Sequence, residues 1–348
     1  MRKLEKIIHI IKNPRYGLKV LKRKIAFNRP WNTIYLEPTG HCNLRCTICP
    51  RHTTGEKLDS MSMNTYLRIA EQLFSRTKNI NLVGLGEPLL HKNIIEMVAV
   101  GKKYNSSVSI STNGMLIDEK KAKGLILAGL DLLCISLDGA TKETYEQIRI
   151  GADFKKVIDN IKLINNLKKL LGKNNPIITL NPVLTKTNIK ELPAFIELAK
   201  SLNIQFIWTA NIFCWTREQD NKFPLYYGDT SLFAEYINKA KARSRRLGII
   251  LELPNFNPRE FAACTYSTNK NFAITWDGTV RPCCFLFHSY TSAYRGIEKR
   301  LPPVIFGNIN DEDFKNIWNN PEYKMFRKAV AGRDYPDVCQ TCLFNKNL

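Results

Sequence analysis

Residues 35–50 read YLEPTGHCNLRCTICP and place three cysteines, Cys42, Cys46 and Cys49, on one short loop behind the strand-like run Thr33–Leu36. Their spacing is C-x3-C-x2-C. Three thiolates from a single loop suit a four-iron cube with one iron left without a protein ligand, and that open iron can bind a cofactor or substrate directly. The competing reading is zinc, which as a structural ion prefers four closed ligands and nearby imidazole. His41 adjoins Cys42, so these residues alone leave both readings open.

The segments on either side of this loop repeat a pattern. Strand-like runs recur at Ile80–Val83, Ser107–Ile110, Leu132–Leu137, Ile177–Leu180 and Ile204–Trp208. Helical stretches separate them, at Met63–Phe74, Ile94–Tyr104, Glu119–Leu127, Phe154–Leu171 and Lys190–Leu202. Alternation with connections this long implies right-handed crossovers and a parallel sheet. The expectation is an α/β chain with six βα units, closed or nearly closed into a barrel, with its chemistry at the C-terminal strand ends. After residue 255 the pattern changes. Leu253–Pro258 reads as a linker, and Phe272–Trp276, Asp277-Gly278 and Thr279–Pro282 read as a hairpin with an Asp-Gly turn. Asp311–Trp318 and Pro321–Val330 read as helices. Three parts are expected: a basic helical extension over 1–32, the barrel over 33–255, and a small α+β domain over 256–348.

The chain has 348 residues, of ordinary globular composition. That composition excludes wholesale disorder and collagen-like repeats. No run of 18 apolar residues occurs, which excludes a spanning helix. The N-terminal stretch is basic but lacks a continuous apolar core and a small-residue cleavage site, so it is a poor signal peptide. A cytoplasmic location is expected, where clustered thiols bind metal more often than they pair. Eight of the ten cysteines fall in two groups, Cys42 to Cys49 and Cys264, Cys283, Cys284, Cys339 and Cys342.

The first cysteine loop resembles the signature of the radical S-adenosylmethionine (SAM) superfamily, which follows the first strand of a partial (β/α)6 TIM-type barrel. Further motifs occur in order at the strand ends. Gly84-Leu-Gly86-Glu87-Pro88 is similar to the family's GGEP element, with Leu85 in place of one glycine. Ser111-Thr112-Asn113-Gly114 is similar to its ribose-contacting strand end. Ser136-Leu-Asp138-Gly139 and Tyr145–Gly151 follow. The resemblance covers about residues 33–250. It implies SAM as cofactor and a first [4Fe–4S] cluster on Cys42, Cys46 and Cys49. Gly84 and Gly86 would belong to the cofactor site, Glu87 would accept from the methionyl amine, Ser111, Thr112 and Asn113 would meet the ribose, and Ser136 or Arg149 the methionyl carboxylate. It also implies reductive SAM cleavage to methionine and a 5′-deoxyadenosyl radical, and a low-potential electron donor of flavodoxin or ferredoxin type. The local alternatives are a cap for Glu87, a turn for Asn113-Gly114 and a surface charge for Arg149.

The second cysteine group resembles the SPASM/Twitch extension of these enzymes. The one-cluster Twitch form is expected, with an auxiliary [4Fe–4S] cluster on Cys264, Cys283, Cys339 and Cys342. A four-thiolate zinc knuckle is the alternative. Cys283 and Cys284 alternate faces if the strand continues, so one of them is a ligand, and Cys283 follows Pro282 as in the family pattern. Cys134 lies in an apolar strand and reads as core. Cys214, just beyond the sixth strand, is either a buried thiol or a hydrogen-atom donor to a substrate radical. Trp208, Trp215, Tyr226 and Tyr227 read as pocket lining or as core. His52, His91 and His288 receive no role.

The formal charge is +21. Residues 1–30 contribute +9 and carry apolar residues at helical spacing, which suits a solvated basic face or peripheral contact with an anionic membrane. Nucleic acid ranks last as a partner. The remaining +12 favours an anionic small-molecule substrate such as a phosphorylated or nucleotide-linked sugar. The reaction expected is oxidation of a carbinol or similar C–H centre, similar to the aminocyclitol dehydrogenase branch (2-deoxy-scyllo-inosamine dehydrogenase is one). The rivals are peptide maturation, epimerisation through Cys214, and a zinc or iron–sulfur interaction protein without catalysis.

Overall fold

The computed structural model describes residues 29–227, 231–260, 262–266 and 268–346. The basic segment 1–28 lies outside them. The chain builds β1 (Trp31–Leu36), α1 (Met63–Leu73), β2 (Thr77–Leu82), α2 (Ile94–Lys103), β3 (Ser107–Thr112), α3 (Glu119–Ala128) and β4 (Leu132–Ile135). Then come α4 (Lys142–Ile148), α5 (Phe154–Leu170), β5 (Ile177–Leu180), β6 (Val183–Leu184), α6 (Leu192–Ser201), β7 (Phe206–Trp208) and β8 (Ala210–Asn211). α7 (Arg217–Lys222), α8 (Ser231–Leu247) and β9 (Ile250–Glu252) complete the barrel region. The C-terminal part adds β10 (Asn271–Ile274), β11 (Val280–Arg281), the hairpin β12 (Tyr290–Tyr294) and β13 (Ile297–Leu301), α9 (Phe314–Asn319) and α10 (Pro321–Gly332).

Local chemistry sets the helix starts. Ser62, Asp118, Thr141 and Asp153 each accept a hydrogen bond from a first-turn backbone N–H, satisfying donors that have no partner within the helix. Strand alternation sets the layers. Ile34, Leu36, Ile80, Leu82, Val108, Ile110, Leu133, Ile135, Ile178 and Leu180 are buried in one core. The alternate positions on the opposite face, Tyr35, Asn79, Asn81, Ser109, Ser111, Cys134 and Thr179, are mostly polar. The barrel interior is therefore hydrophilic.

The main sheet runs β11-β10-β1-β2-β3-β4-β5-β7-β9, parallel from β10 through β9. This is the expected mixed α/β fold with a partial barrel and a small C-terminal unit. One feature departs from the expected separation at residue 255. The C-terminal hairpin is not a sheet of its own, because β10 pairs in parallel with β1 through Thr33–Leu36 and Asn271–Ile274. The reason is an open edge: β1 would otherwise expose unpaired N–H and C=O groups. Among the described residues no helix is long and apolar enough to cross a membrane.

Candidate functional site

The cysteine loop leaves the C-terminal end of β1 and is held by neighbours on both sides. Arg45 and Thr47 donate their N–H groups to the Ile150 and Ile148 carbonyls, at 2.9 and 2.8 Å. Trp215 Nε1 donates to the Ile48 carbonyl at 3.1 Å, and Gln219 Nε2 to that of Thr47 at 2.8 Å. Inside the loop Leu44 N–H donates to Cys42 Sγ at 3.4 Å. Burial raises all three thiols above their ordinary value, Cys46 to about 11 even though the Arg149 guanidinium opposes it. Loading a metal here must therefore displace protons from these thiols.

The Gly84–Pro88 segment lies directly on this loop. A Cβ at Gly86 would sit 2.1 Å from the Thr39 carbonyl oxygen and 2.5 Å from that of His41. Glu87 N–H donates to the same His41 carbonyl at 2.8 Å. Backbone on backbone leaves nothing flexible to yield, so Gly86→Ala is expected to cost on the order of 1–3 kcal/mol, the range for overpacking. A thermal melt of the purified chain checks this, and an unchanged Tm would count against the contact.

Glu87 is buried, and burial raises its carboxyl against the hydrogen bonds it accepts. Oε1 accepts from the Thr112 hydroxyl at 2.6 Å and Leu89 N–H at 3.0 Å, and Oε2 from Asn113 N–H at 2.7 Å. The Thr112 hydroxyl also accepts Gly114 N–H at 3.0 Å. Both groups, assigned to the cofactor from sequence, are thus engaged within the protein and brace the end of β3. Asn113 Nδ2 reaches Asn43 Oδ1 at 2.9 Å, tying β3 to the cysteine loop. Ser111 and Ser136 are partly exposed at the ends of β3 and β4.

Arg149 is not a surface charge. Its Nε is 2.7 Å from Asp138 Oδ2, an ion pair with Asp138 fully buried. Its Nη1 points at Cys46 Sγ at 3.9 Å. Burial acts to lower the Arg149 pKa, and Asp138 together with Cys46 and Tyr145 raises it on balance, so the guanidinium stays charged. Asp138 stands in the Ser136–Gly139 motif just beyond β4, and no local pattern pairs it with Arg149.

In the C-terminal part, Cys264, Cys283, Cys339 and Cys342 line one small cavity with Phe285, Phe344, Tyr335 and others. Cys284 is not among its lining residues. Burial pushes the Cys284 and Cys339 thiols up to about 12 and those of Cys283 and Cys342 well above their usual value. Among the described residues no three His, Cys, Asp or Glu side chains close around a single ion. Thiolates around a four-iron cube stand farther apart than those around one ion, and an all-cysteine cavity is the donor set a cube needs.

Cys214 lies elsewhere. It is 2% exposed in a cluster with Tyr226 and Tyr294, and its carbonyl accepts Ala293 N–H at 2.8 Å where the barrel meets β12. Burial pushes its thiol up to about 12. Trp215 belongs to the aromatic group facing the second cysteine cavity, with Phe213, Phe285 and Tyr290. Cys134 is buried, 8% exposed, but on the inward polar face of β4 beside Ser111 and Thr179 and not in the apolar core expected from its strand.

Comparison with known proteins matches these two halves. The family model for the radical SAM superfamily matches residues 36–199, and the SPASM iron–sulfur cluster-binding domain matches 264–343. A Pyrococcus furiosus protein, the tungsten-containing aldehyde ferredoxin oxidoreductase cofactor-modifying protein, is 30% identical over 89% of this chain and 86% of its own length. The chain belongs to the radical SAM superfamily. Among other relatives of this radical SAM enzyme, the PqqA peptide cyclase of Gluconobacter oxydans is 26% identical over 90% of this chain and 83% of its own. In fold it is similar to native anSMEcpe with bound AdoMet and Cp18Cys peptide, with a TM-score of 0.66 and 21% identity over 86% and 84% of the two chains. The radical SAM and SPASM domains bring SAM, a SAM-binding [4Fe–4S] cluster and an auxiliary [4Fe–4S] cluster as cofactors.

Proposed function

We propose that this radical SAM enzyme oxidises a carbinol or similar C–H centre of a polar small molecule, of sugar or aminocyclitol type, with one electron leaving toward the auxiliary site. The observation that carries this reading is a line of aromatic rings. Tyr35, on the inward face of β1, is 5.2 Å from Tyr266, which is 5.8 Å from Phe344 on the wall of the second cysteine cavity. The hydroxyls and amides of Asn81, Ser109, Ser111 and Thr179 inside the barrel suit a hydroxyl-rich substrate. The net positive charge of the chain favours an anionic one, phosphorylated or nucleotide-linked.

When bound, SAM and its reduced cluster supply a 5′-deoxyadenosyl radical that removes a hydrogen atom from the substrate. In this reading Cys42, Cys46 and Cys49 hold the first cluster, and Cys264, Cys283, Cys339 and Cys342 close the auxiliary one. Gly84 and Gly86 let the cofactor-binding segment lie against Glu37 and the Thr39–His41 backbone, Glu87 and Thr112 brace the cofactor's site, and Ser111, Asn113 and Ser136 face it. Arg149 places a positive charge beside Cys46 and the methionyl carboxylate. The aromatic wall of Phe213, Trp215, Phe285 and Tyr290 excludes water between the two halves. The barrel is assigned to 31–255, two residues earlier than expected because β1 begins at Trp31, the auxiliary unit to 256–348, and the basic segment before the barrel to an extension with peripheral membrane contact. Arg45, Arg51 and His52 lie together on the cysteine loop, where burial and the two arginines lower the His52 pKa. That positive face fits an acidic low-potential electron carrier.

The charge beside Cys46 makes a signed prediction. Reduction adds an electron to the cluster, so removing a nearby cation disfavours it. Arg149→Ala is expected to lower the first cluster's potential by tens of millivolts, about 59 mV per tenfold change. Asp138→Asn, which leaves the guanidinium uncompensated, should raise it. A redox titration followed by electron paramagnetic resonance reads both; shifts of the same sign would remove Arg149 from this role.

Peptide modification is the second reading, favoured by the likeness to the PqqA peptide cyclase. Incubating the anaerobic enzyme with candidate sugars and peptides separates the two. Oxidation predicts loss of two hydrogens from a polyol with matching 5′-deoxyadenosine; a modified peptide with no change in any polyol would reverse the order. Solvent deuterium in an isomeric product, lost in Cys214→Ala, would instead assign epimerisation with Cys214 as donor.

A further inference from the structure

His288 is buried between two carboxylates. Its Nε2 is 2.8 Å from Glu37 Oε2, and its Nδ1 is 2.7 Å from Glu56 Oε2. His288 is 2% exposed and Glu37 is fully buried. With a carboxylate oxygen on each ring nitrogen, both nitrogens must carry protons, so the residue is an imidazolium. The three groups come from three places. Glu37 follows β1, Glu56 lies beyond the first cysteine loop, and His288 sits four residues after Cys284 in the auxiliary unit.

Each carboxylate carries the contact further. Glu37 Oε1 accepts Leu85 N–H at 2.9 Å, inside the Gly84–Pro88 segment. A Cβ at Gly84 would meet Glu37 Cγ at 2.3 Å, so the Glu37 side chain lies across that segment. Glu56 Oε1 accepts Ser289 N–H at 2.7 Å, a second tie to the auxiliary unit.

We propose that His288 is a positioning residue through which the auxiliary unit holds the SAM-binding Gly84–Pro88 segment and the cysteine loop in their binding arrangement. The inference rests on the assignment of that segment to SAM. It goes beyond it in making SAM affinity depend on a side chain of the other half of the chain. The physical warrant is a continuous chain of bonds, from the auxiliary backbone at Ser289 and His288 through Glu37 to the Leu85 amide.

The groups facing His288 are Glu37 and Glu56, with Tyr290 in ring contact at 6.3 Å, and Arg281 close enough to act on both carboxylates. Burial acts to lower the His288 pKa, but the two glutamates raise it from 6.5 to about 9. Burial acts to raise Glu56, and the bonds from His288 and Ser289 hold it below its ordinary value. A raised histidine pKa means that the tie is fully present below about pH 6.5 and is lost as pH rises through about 9.

The test is SAM binding to the anaerobically reconstituted full chain, measured by equilibrium dialysis without reductant or substrate, with iron content measured in parallel. The wild-type Kd for SAM is expected to rise between pH 8 and about 10. His288→Ala should weaken binding about tenfold at pH 7.5, within the usual range for coupled sites, keep its iron, and lose the pH dependence. Should His288→Ala fail to hold iron, Glu56→Gln carries the test. It leaves His288 one charged carboxylate and should weaken SAM with iron retained. Wild-type affinity in the iron-loaded variant, or a flat wild-type pH profile, would overturn the inference. A fully loaded wild type that binds no SAM at any pH would instead overturn the SAM assignment beneath it.

Discussion

Replacing Cys42, Cys46 and Cys49 together by alanine should leave the anaerobically reconstituted enzyme with about four irons in place of about eight, and with no SAM cleavage. The three thiols share one loop, and that loop is braced by contacts that do not involve them. Backbone bonds from Arg45 and Thr47, and side-chain bonds from Trp215 and Gln219, remain when the sulfurs are gone. The auxiliary cavity shares none of these residues. The loss should therefore be confined to the first cluster, with the auxiliary cluster's paramagnetic signal unchanged. Iron analysis and electron paramagnetic resonance on the same sample decide it. Eight irons in the triple variant would mean that the clusters are held otherwise.

The second large effect separates two adjacent cysteines. Cys283→Ser should remove the auxiliary cluster's iron, and Cys284→Ser should keep it. The difference comes from the strand ending before these residues. β11 ends at Arg281, Cys283 caps a short 3-10 helix spanning Cys284–Leu286, and only Cys283 is turned into the cavity with Cys264, Cys339 and Cys342. Equal iron loss in both variants would contradict the cavity assignment.

Most of the barrel was legible because its strands obey one rule. The alternation of Ile34, Leu36, Ile80, Leu82, Val108 and Ile110 with polar residues marks both the strand and its buried face. The helices carry side-chain caps at Ser62, Asp118 and Asp153 that local sequence reveals. What escaped was non-local or short. β9 is only three residues long, and two of them are exposed. The β12–β13 hairpin turns on Arg295 and Gly296, both with positive φ; an Arg-Gly turn between Tyr-rich and Ile-led runs was its available signal. The parallel pairing of β10 with β1 joins residues more than 230 apart, which no local pattern encodes.

The candidate site divides in the same way. Cysteine spacing is a local property, and both groups could be read from it. Partners at a distance could not. Asp138 beside Arg149 and Glu37 beside His288 are pairs chosen by the fold. His288 had no role assigned for that reason, although a histidine near a cysteine pair in a chain with only five was a usable signal. Glu87 and Thr112 suit a cofactor by residue type, and the bond between them, which also braces the end of β3, is set by the fold and not by local sequence.

Reductive SAM cleavage is the reaction on which every role above depends. Its most direct test is to incubate the reconstituted enzyme anaerobically with SAM and dithionite, without substrate, and quantify 5′-deoxyadenosine and methionine. Equal amounts of both are expected, dependent on the reductant and absent from the Cys42, Cys46 and Cys49 triple variant. Protein carrying about eight irons that forms neither product would contradict it.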